Sequence, residues 1–204
     1  MSFFFKYLLR KLFFKYSYQS EKGTNPIVIY NDWIGKNIIL DGLYEKQIVE
    51  TILSSFEFEK YKFSCVDVGS NIGNHIIQFK DCFKDVVGFE PQRKTFKILK
   101  LNTENYSNVS IYNYGIAQND KKIKFYIPKN NLGNASPQKN KNDCLEETVE
   151  LKNYDNLFNQ CCSYIKIDVE GYELDVIKGM KETISNDPQL FFSYNNGLSI
   201  IADD

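Results

Sequence analysis

The chain has 204 residues, 43% hydrophobic and 25% charged, which suits a soluble globular domain with a sizeable core and excludes a chain disordered throughout. Its 25 basic and 26 acidic residues leave a net charge of -1, so no global basic field exists and nucleic acid is not an expected partner. The cysteines (Cys65, Cys82, Cys144, Cys161, Cys162) are odd in number and lack CxxC spacing, which argues against a zinc site or disulfide framework and for reduced thiols in the cytoplasm.

At the N-terminus, helical spacing groups Phe5, Leu8, Leu9, Leu12, Phe13 and Tyr16 on one face, with Lys6, Arg10, Lys11 and Lys15 outside it. Residues 1–20 therefore read as a basic amphipathic helix. Two roles stay open: peripheral contact of residues 3–16 with the anionic inner face of a membrane, or packing on the domain or a partner subunit. No apolar run approaches the roughly 18 residues of a membrane-spanning helix. Residues 21–204 are expected to form one domain.

The stretch "IVIYNDWIGKNIIL" (27–40) predicts two short strands of a hairpin, and "LYEKQIVETILSSFEF" predicts a helix with Tyr44, Ile48, Ile52 and Phe56 near one face. A strand over 63–68 follows, then glycines, then a helix from near Asn71 whose stripe is Ile72, Ile76, Phe79 and Phe83. Further strands are expected at 85–90, 108–116, 121–128, 147–154, 163–169 and 189–194, with helices around 95–102 and 171–184, the latter carrying Leu174, Ile177 and Ile184. The strands at 121–128 and 147–154 read as an antiparallel pair around a surface loop. Strands alternating with helices imply an α/β fold, a parallel sheet with helices on both faces, whose ligands lie outside the C-terminal strand ends. Asp67, Glu90 and Asp168 fall at three such ends.

In "CVDVGSNIGN" (65–74), glycines directly after a buried strand either turn the backbone tightly or let it approach a ligand. The stretch lacks the GxGxxG fingerprint, which disfavours a nicotinamide-dependent oxidoreductase. Glu90, 23 residues after Asp67, is placed to accept hydrogen bonds from both ribose hydroxyls of a cofactor. An adenosine carrier without a pyrophosphate suits a turn that has no glycine-rich anion nest.

The segments "VDVGSNIGNH" (66–75), "VVGFEPQ" (86–92) and "YIKIDVEGYELDVIKGM" (164–180) resemble, in order and spacing, the FkbM-type S-adenosylmethionine-dependent methyltransferases. The resemblance covers roughly residues 40–192 and implies a Rossmann-like methyltransferase sheet. It implies that Asp67, Gly69, Asn71 and Gly73 line the methionine half of S-adenosyl-L-methionine and that Glu90 holds the ribose. Asp168 would lie beside the amino group or the acceptor. The expected reaction is O-methylation of a hydroxyl on a small molecule or glycan acceptor, with a sugar of a surface glycan or glycolipid favoured by what the family often does. No metal is demanded.

A hydroxyl acceptor must lose its proton, and the imidazole of His75, the chain's single histidine, is one candidate base; Asp168 and Glu170 are the others. Glu173 is read as complementing the dipole of the following helix. The chain departs from the family at "FFSYNN", where Ser193 or Tyr194 replaces a frequent glutamate, and at "LKNYDNLF", which keeps Asp155. The sheet is expected to lack the family's last two strands, exposing an edge that invites homodimerisation. An alternative reading follows: a truncated, non-catalytic binding or interaction module.

Overall fold

The computed structural model describes residues 26–28, 33–41, 43–54, 64–128, 144–158, 162–186, 191–194 and 197–199, so the N-terminal amphipathic segment lies outside the described residues. Two helices, α1 (Trp33–Asp41) and α2 (Lys46–Ser54), lead into β1 (Ser64–Val68), α3 (Asn74–Phe79), β2 (Asp85–Phe89), α4 (Arg93–Thr103) and β3 (Val109–Tyr112). Then follow β4 (Gly115–Ile116), β5 (Lys121–Pro128), β6 (Cys144–Lys152), β7 (Tyr164–Ile167), α5 (Glu173–Gly179), α6 (Lys181–Asn186), β8 (Phe191–Tyr194) and β9 (Gly197–Ser199). The main sheet runs β3-β2-β1-β7-β8-β9, parallel throughout except for β9. A smaller sheet, β4-β6-β5, contains the expected antiparallel pair.

Period-2 alternation sorts the side chains of β1 and β7 between two faces. Val66, Val68, Ile165 and Ile167 pack with Val176 and Met180 of α5 and its flank. Cys65 and Tyr164 face the other way, onto Val49 of α2, Ile76 and Phe79 of α3, and Leu99 of α4. Helices therefore cover both faces, as the α/β reading requires. Asp67 and Lys166, each two residues further along its strand, continue this second face and are register partners.

Several expectations are corrected. The hairpin expected over 27–40 is replaced in its second half by α1: Ile34 and Ile38 stand one helical repeat apart and Ile38 is buried, so packing overrides the strand propensity of the isoleucines. The helix after the glycines starts at Asn74 rather than near Asn71, because Asn71 (φ 51°) and Gly73 (φ 91°) are left-handed and cannot belong to a right-handed helix. The strand expected over 108–116 is divided between the two sheets.

The single helix expected over 171–184 is two, and its buried side carries Val176, Gly179, Met180 and Thr183 while Leu174 and Ile177 are exposed. A Cβ on Gly179 would meet the Ala117 carbonyl oxygen at 2.2 Å, so the bare backbone lets this side of the helix lie against β4 and its flank. Asp155 fixes the start of α6, accepting hydrogen bonds from the backbone N–H groups of Glu182 (2.8 Å) and Thr183 (3.1 Å). Finally, β9 adds a strand beyond the expected end at 194. Only two residues separate it from β8, which permits an antiparallel return and no crossover.

Candidate active site

The chain leaves β1 for β2 and β3 on one side and resumes at β7 and β8 on the other, so the strand order reverses between β1 and β7. A crevice outside the C-terminal ends of these strands is the ligand-binding position of such sheets. Asp67, Gly69, Asn71, Gly73, Glu90, Asp168 and Glu170 belong to strands or loops at this edge, whereas His75 lies in the helix that follows the first loop.

The turn after β1 is held from below. The backbone N–H groups of Gly69 and Ser70 both donate to the Phe89 carbonyl at 3.0 Å, and that of Gly73 donates to the Ser70 carbonyl at 2.9 Å. Asn102 of α4 adds a side-chain donor to the Ile72 carbonyl at 2.7 Å. The glycines serve this packing. A Cβ on Gly69 (φ +85°) would stand 1.9 Å from the Asp168 carbonyl oxygen, and one on Gly73 (φ +91°) would stand 2.8 Å from Leu99 Cδ1. Tight turning with close approach of protein to protein is thus one use that these glycines serve.

Glu90, just beyond β2, is buried, and its carboxylate ties the strand ends together. Oε2 accepts the Asn71 backbone N–H at 3.0 Å and Oε1 accepts that of Gln92 at 2.8 Å. Burial pushes its carboxyl up to about 7 against the opposing pull of those two donors. The Asn71 turn and Glu90, 19 residues apart, are thus joined directly.

Asp67 is fully buried, and Lys166 Nζ donates to its Oδ1 at 2.9 Å. Lys166 also lies 3.8 Å from Asp168 Oδ2. Burial works to discharge Lys166, yet Asp67 foremost, then Asp168, hold its ammonium above the usual lysine range. Asp67 Oδ2 has no hydrogen-bond partner among the described residues. An ionised carboxylate with one buried oxygen bound and the other bare asks for a further donor.

Asp168 is partly exposed at the end of β7, and its backbone N–H donates to Val68 at 2.9 Å. Glu170 is exposed, with φ 51°; partial burial and then the charges of Asp168 and Glu173 raise its carboxyl above the usual range. Glu173 does more than complement a dipole, because it accepts the Gly171 backbone N–H at 2.9 Å and closes the loop. His75, the second residue of α3, is mostly buried and pairs through Nε2 with Glu45 Oε2 at 3.1 Å.

The structure thus joins Asn71 with Glu90, and Asp67 through Lys166 with Asp168. His75 is joined to Glu45, while Glu170 is linked to Asp168 and Glu173 by charge. Lys166, Glu45 and Asn102 were missed as site residues. Lys166 left a trace in the sequence: a lysine between Ile165 and Ile167 in an otherwise apolar strand signals a buried charge that needs a partner.

The family model for the methyltransferase FkbM domain matches residues 67–196. Among characterised proteins, the chain is 28% identical over 149 residues to hexuronic acid methyltransferase AglP of Haloferax volcanii, covering 70% of this chain and 59% of that one. It is 24% identical to methyltransferase 1 of Beauveria bassiana, covering 74% of this chain and 68% of the relative. Among solved structures, methyltransferase FkbM of Methylobacillus flagellatus is similar at 22% identity and a TM-score of 0.45, covering 69% of this chain and 36% of that one. The chain therefore spans well under the full length of the first relative and of this solved protein.

Proposed function

From a chain that belongs to the methyltransferase FkbM domain family, we propose an S-adenosylmethionine-dependent O-methyltransferase whose acceptor is a sugar hydroxyl of a glycan or glycolipid. The observation that carries the cofactor assignment is Glu90, a buried carboxylate fixed through Asn71 and Gln92 at the end of β2. Each oxygen accepts one backbone donor and keeps a second lone pair, which suits the adjacent hydroxyls of a ribose.

The rest of the edge fits a cationic cofactor. Asp67, Asp168 and Glu170 gather negative charge, and the Oδ2 of Asp67 is a buried acceptor with no donor among the described residues. Asp168, more exposed than Asp67, is suited to the cofactor's ammonium or to the acceptor. When bound, S-adenosylmethionine supplies a methyl group on a sulfonium centre, which passes to the acceptor oxygen while the carbon–sulfur bonding pair stays on sulfur. The protein's part is to position the acceptor, exclude water and take the hydroxyl proton, for which His75, Asp168 and Glu170 are the candidate bases. Support for a sugar acceptor comes from the Haloferax volcanii relative, a hexuronic acid methyltransferase.

Calorimetric titration with S-adenosylmethionine and S-adenosylhomocysteine tests the reading. Saturable binding is expected, weakened about 30-fold or more in Glu90→Ala, as loss of a charged hydrogen-bond acceptor implies. A folded wild-type chain that binds neither compound would favour a non-catalytic interaction module.

A further inference from the structure

His75 is held on two sides. Its ring stacks on Phe79, with centroids 6.0 Å apart at 22°, and its Nε2 meets Glu45 Oε2 at 3.1 Å. Glu45 has φ 57°, a left-handed conformation that L side chains adopt only at a cost and that is retained where surrounding structure enforces it. The enforcing contacts come from α3. Asn74 grips the neighbouring Tyr44 backbone both ways, accepting its N–H at Oδ1 (3.0 Å) and donating Nδ2 to its carbonyl (2.7 Å). Gln78 donates to the same carbonyl at 3.2 Å. Asn74 adjoins His75 and Tyr44 adjoins Glu45, so this grip sets the two side chains face to face.

We propose that Glu45 is a positioning residue for His75: it holds the proton of the neutral imidazole on Nε2 and leaves the Nδ1 lone pair to accept the proton of the acceptor hydroxyl. This rests on the methyltransferase reading above and selects His75 among its three candidate bases. The proton passes from the acceptor oxygen to Nδ1 as that oxygen bonds the methyl carbon. The imidazolium so formed keeps its Nε2–H on the Glu45 carboxylate until solvent removes the Nδ1 proton. Orientation of a base by a carboxylate on its far nitrogen is a general way to select a tautomer. The neighbours agree with an ionised Glu45: the hydrogen bond from His75 holds its carboxyl below the usual range against burial, with Tyr44 and Lys166 acting in the same direction. Lys166 is in turn shared by Asp67 and Asp168.

The chain's one histidine makes the test direct. In the full chain labelled with 15N-histidine and studied above neutral pH, one imidazole is expected, with its proton on Nε2 and a bare Nδ1. Glu45→Gln, which keeps an acceptor oxygen, should retain that tautomer, and Glu45→Ala should give an averaged mixture. Carbethoxylation of the same imidazole by diethyl pyrocarbonate should be slowed by S-adenosylhomocysteine, which a purely structural Glu45–His75 contact does not predict. Cofactor affinity should stay within about threefold across the variants, showing that they fold. A proton on Nδ1, an unchanged tautomer in Glu45→Ala, modification indifferent to S-adenosylhomocysteine, or lost cofactor affinity in Glu45→Ala would each overturn the assignment. Failure of the wild type to bind the cofactor would instead bring down the methyltransferase reading, whatever the tautomer.

Discussion

The molecule places lysine–carboxylate pairs in two contrasting settings. At the C-terminal edge of the main sheet, Lys166 and Asp67 are register partners with side chains 7% and 0% exposed, 2.9 Å apart. On the β5–β6 hairpin, Lys122 meets Glu150 at 3.0 Å and Lys124 meets Glu146 at 2.7 Å, with both lysines more than 60% exposed. Distance alone would rank the hairpin pair of Lys124 first. Desolvation reverses the order of consequence, because a buried charge that loses its partner has no water to turn to, whereas an exposed one does.

The sharpest way to break that contrast is Lys166→Met, which leaves the Asp67 carboxylate buried and unpaired. A loss of about 3–5 kcal/mol is expected from urea unfolding, and Lys166→Met with Asp67→Leu should recover most of it. A single-variant loss below about 1 kcal/mol would mean that the edge behaves like the hairpin.

Burial without a cation gives the next largest effect. Glu90 rises from an ordinary 4.5 to about 7 in the folded protein. Between those values the native state binds more protons than the unfolded chain, so stability falls as pH rises. The neutral form's contribution is fully present below pH 4.5 and is lost as pH passes through about 7. The change is on the order of 3 kcal/mol in the absence of cofactor, and Glu90→Gln should flatten it. Unfolding free energy measured across this window checks the sign, and a slope that is the same in wild type and variant would refute it.

These edge residues were unequally legible in the sequence. Asp67, Glu90 and Asp168 could be placed because each ends an apolar strand, and strand ends are shared by the whole sheet. The pairing of Asp67 with Lys166 could not, since the two are 99 residues apart and only the register of β1 against β7 brings them together. Glu45 was hidden for a different reason: its position depends on one left-handed residue and on an amide grip from α3, neither of which leaves a periodic trace. At α5 apolar residues occupy both sides of the helix, so periodicity offered two answers. The close approach of Gly179 to Ala117 selected the side that the sequence reading passed over.

The smallest effect expected is that of Lys124→Ala, and its smallness is the informative part. The hydrogen bond and charge of Glu146 hold the Lys124 ammonium above its ordinary range, and the 2.7 Å contact is as short as any edge pairing of Lys166. Yet the two side chains are 62% and 49% exposed, so water and ions compete for both groups and holding two long side chains in one geometry costs entropy. The urea midpoint of Lys124→Ala should therefore coincide with that of the wild type at physiological ionic strength. Any difference seen in dilute buffer should vanish near 1 M salt, where screening acts over about 3 Å. The loss in Lys166→Met should persist in the same salt, because ions do not reach Asp67. Equal salt sensitivity of the two variants would remove desolvation as the reason why the parallel edge and the hairpin differ.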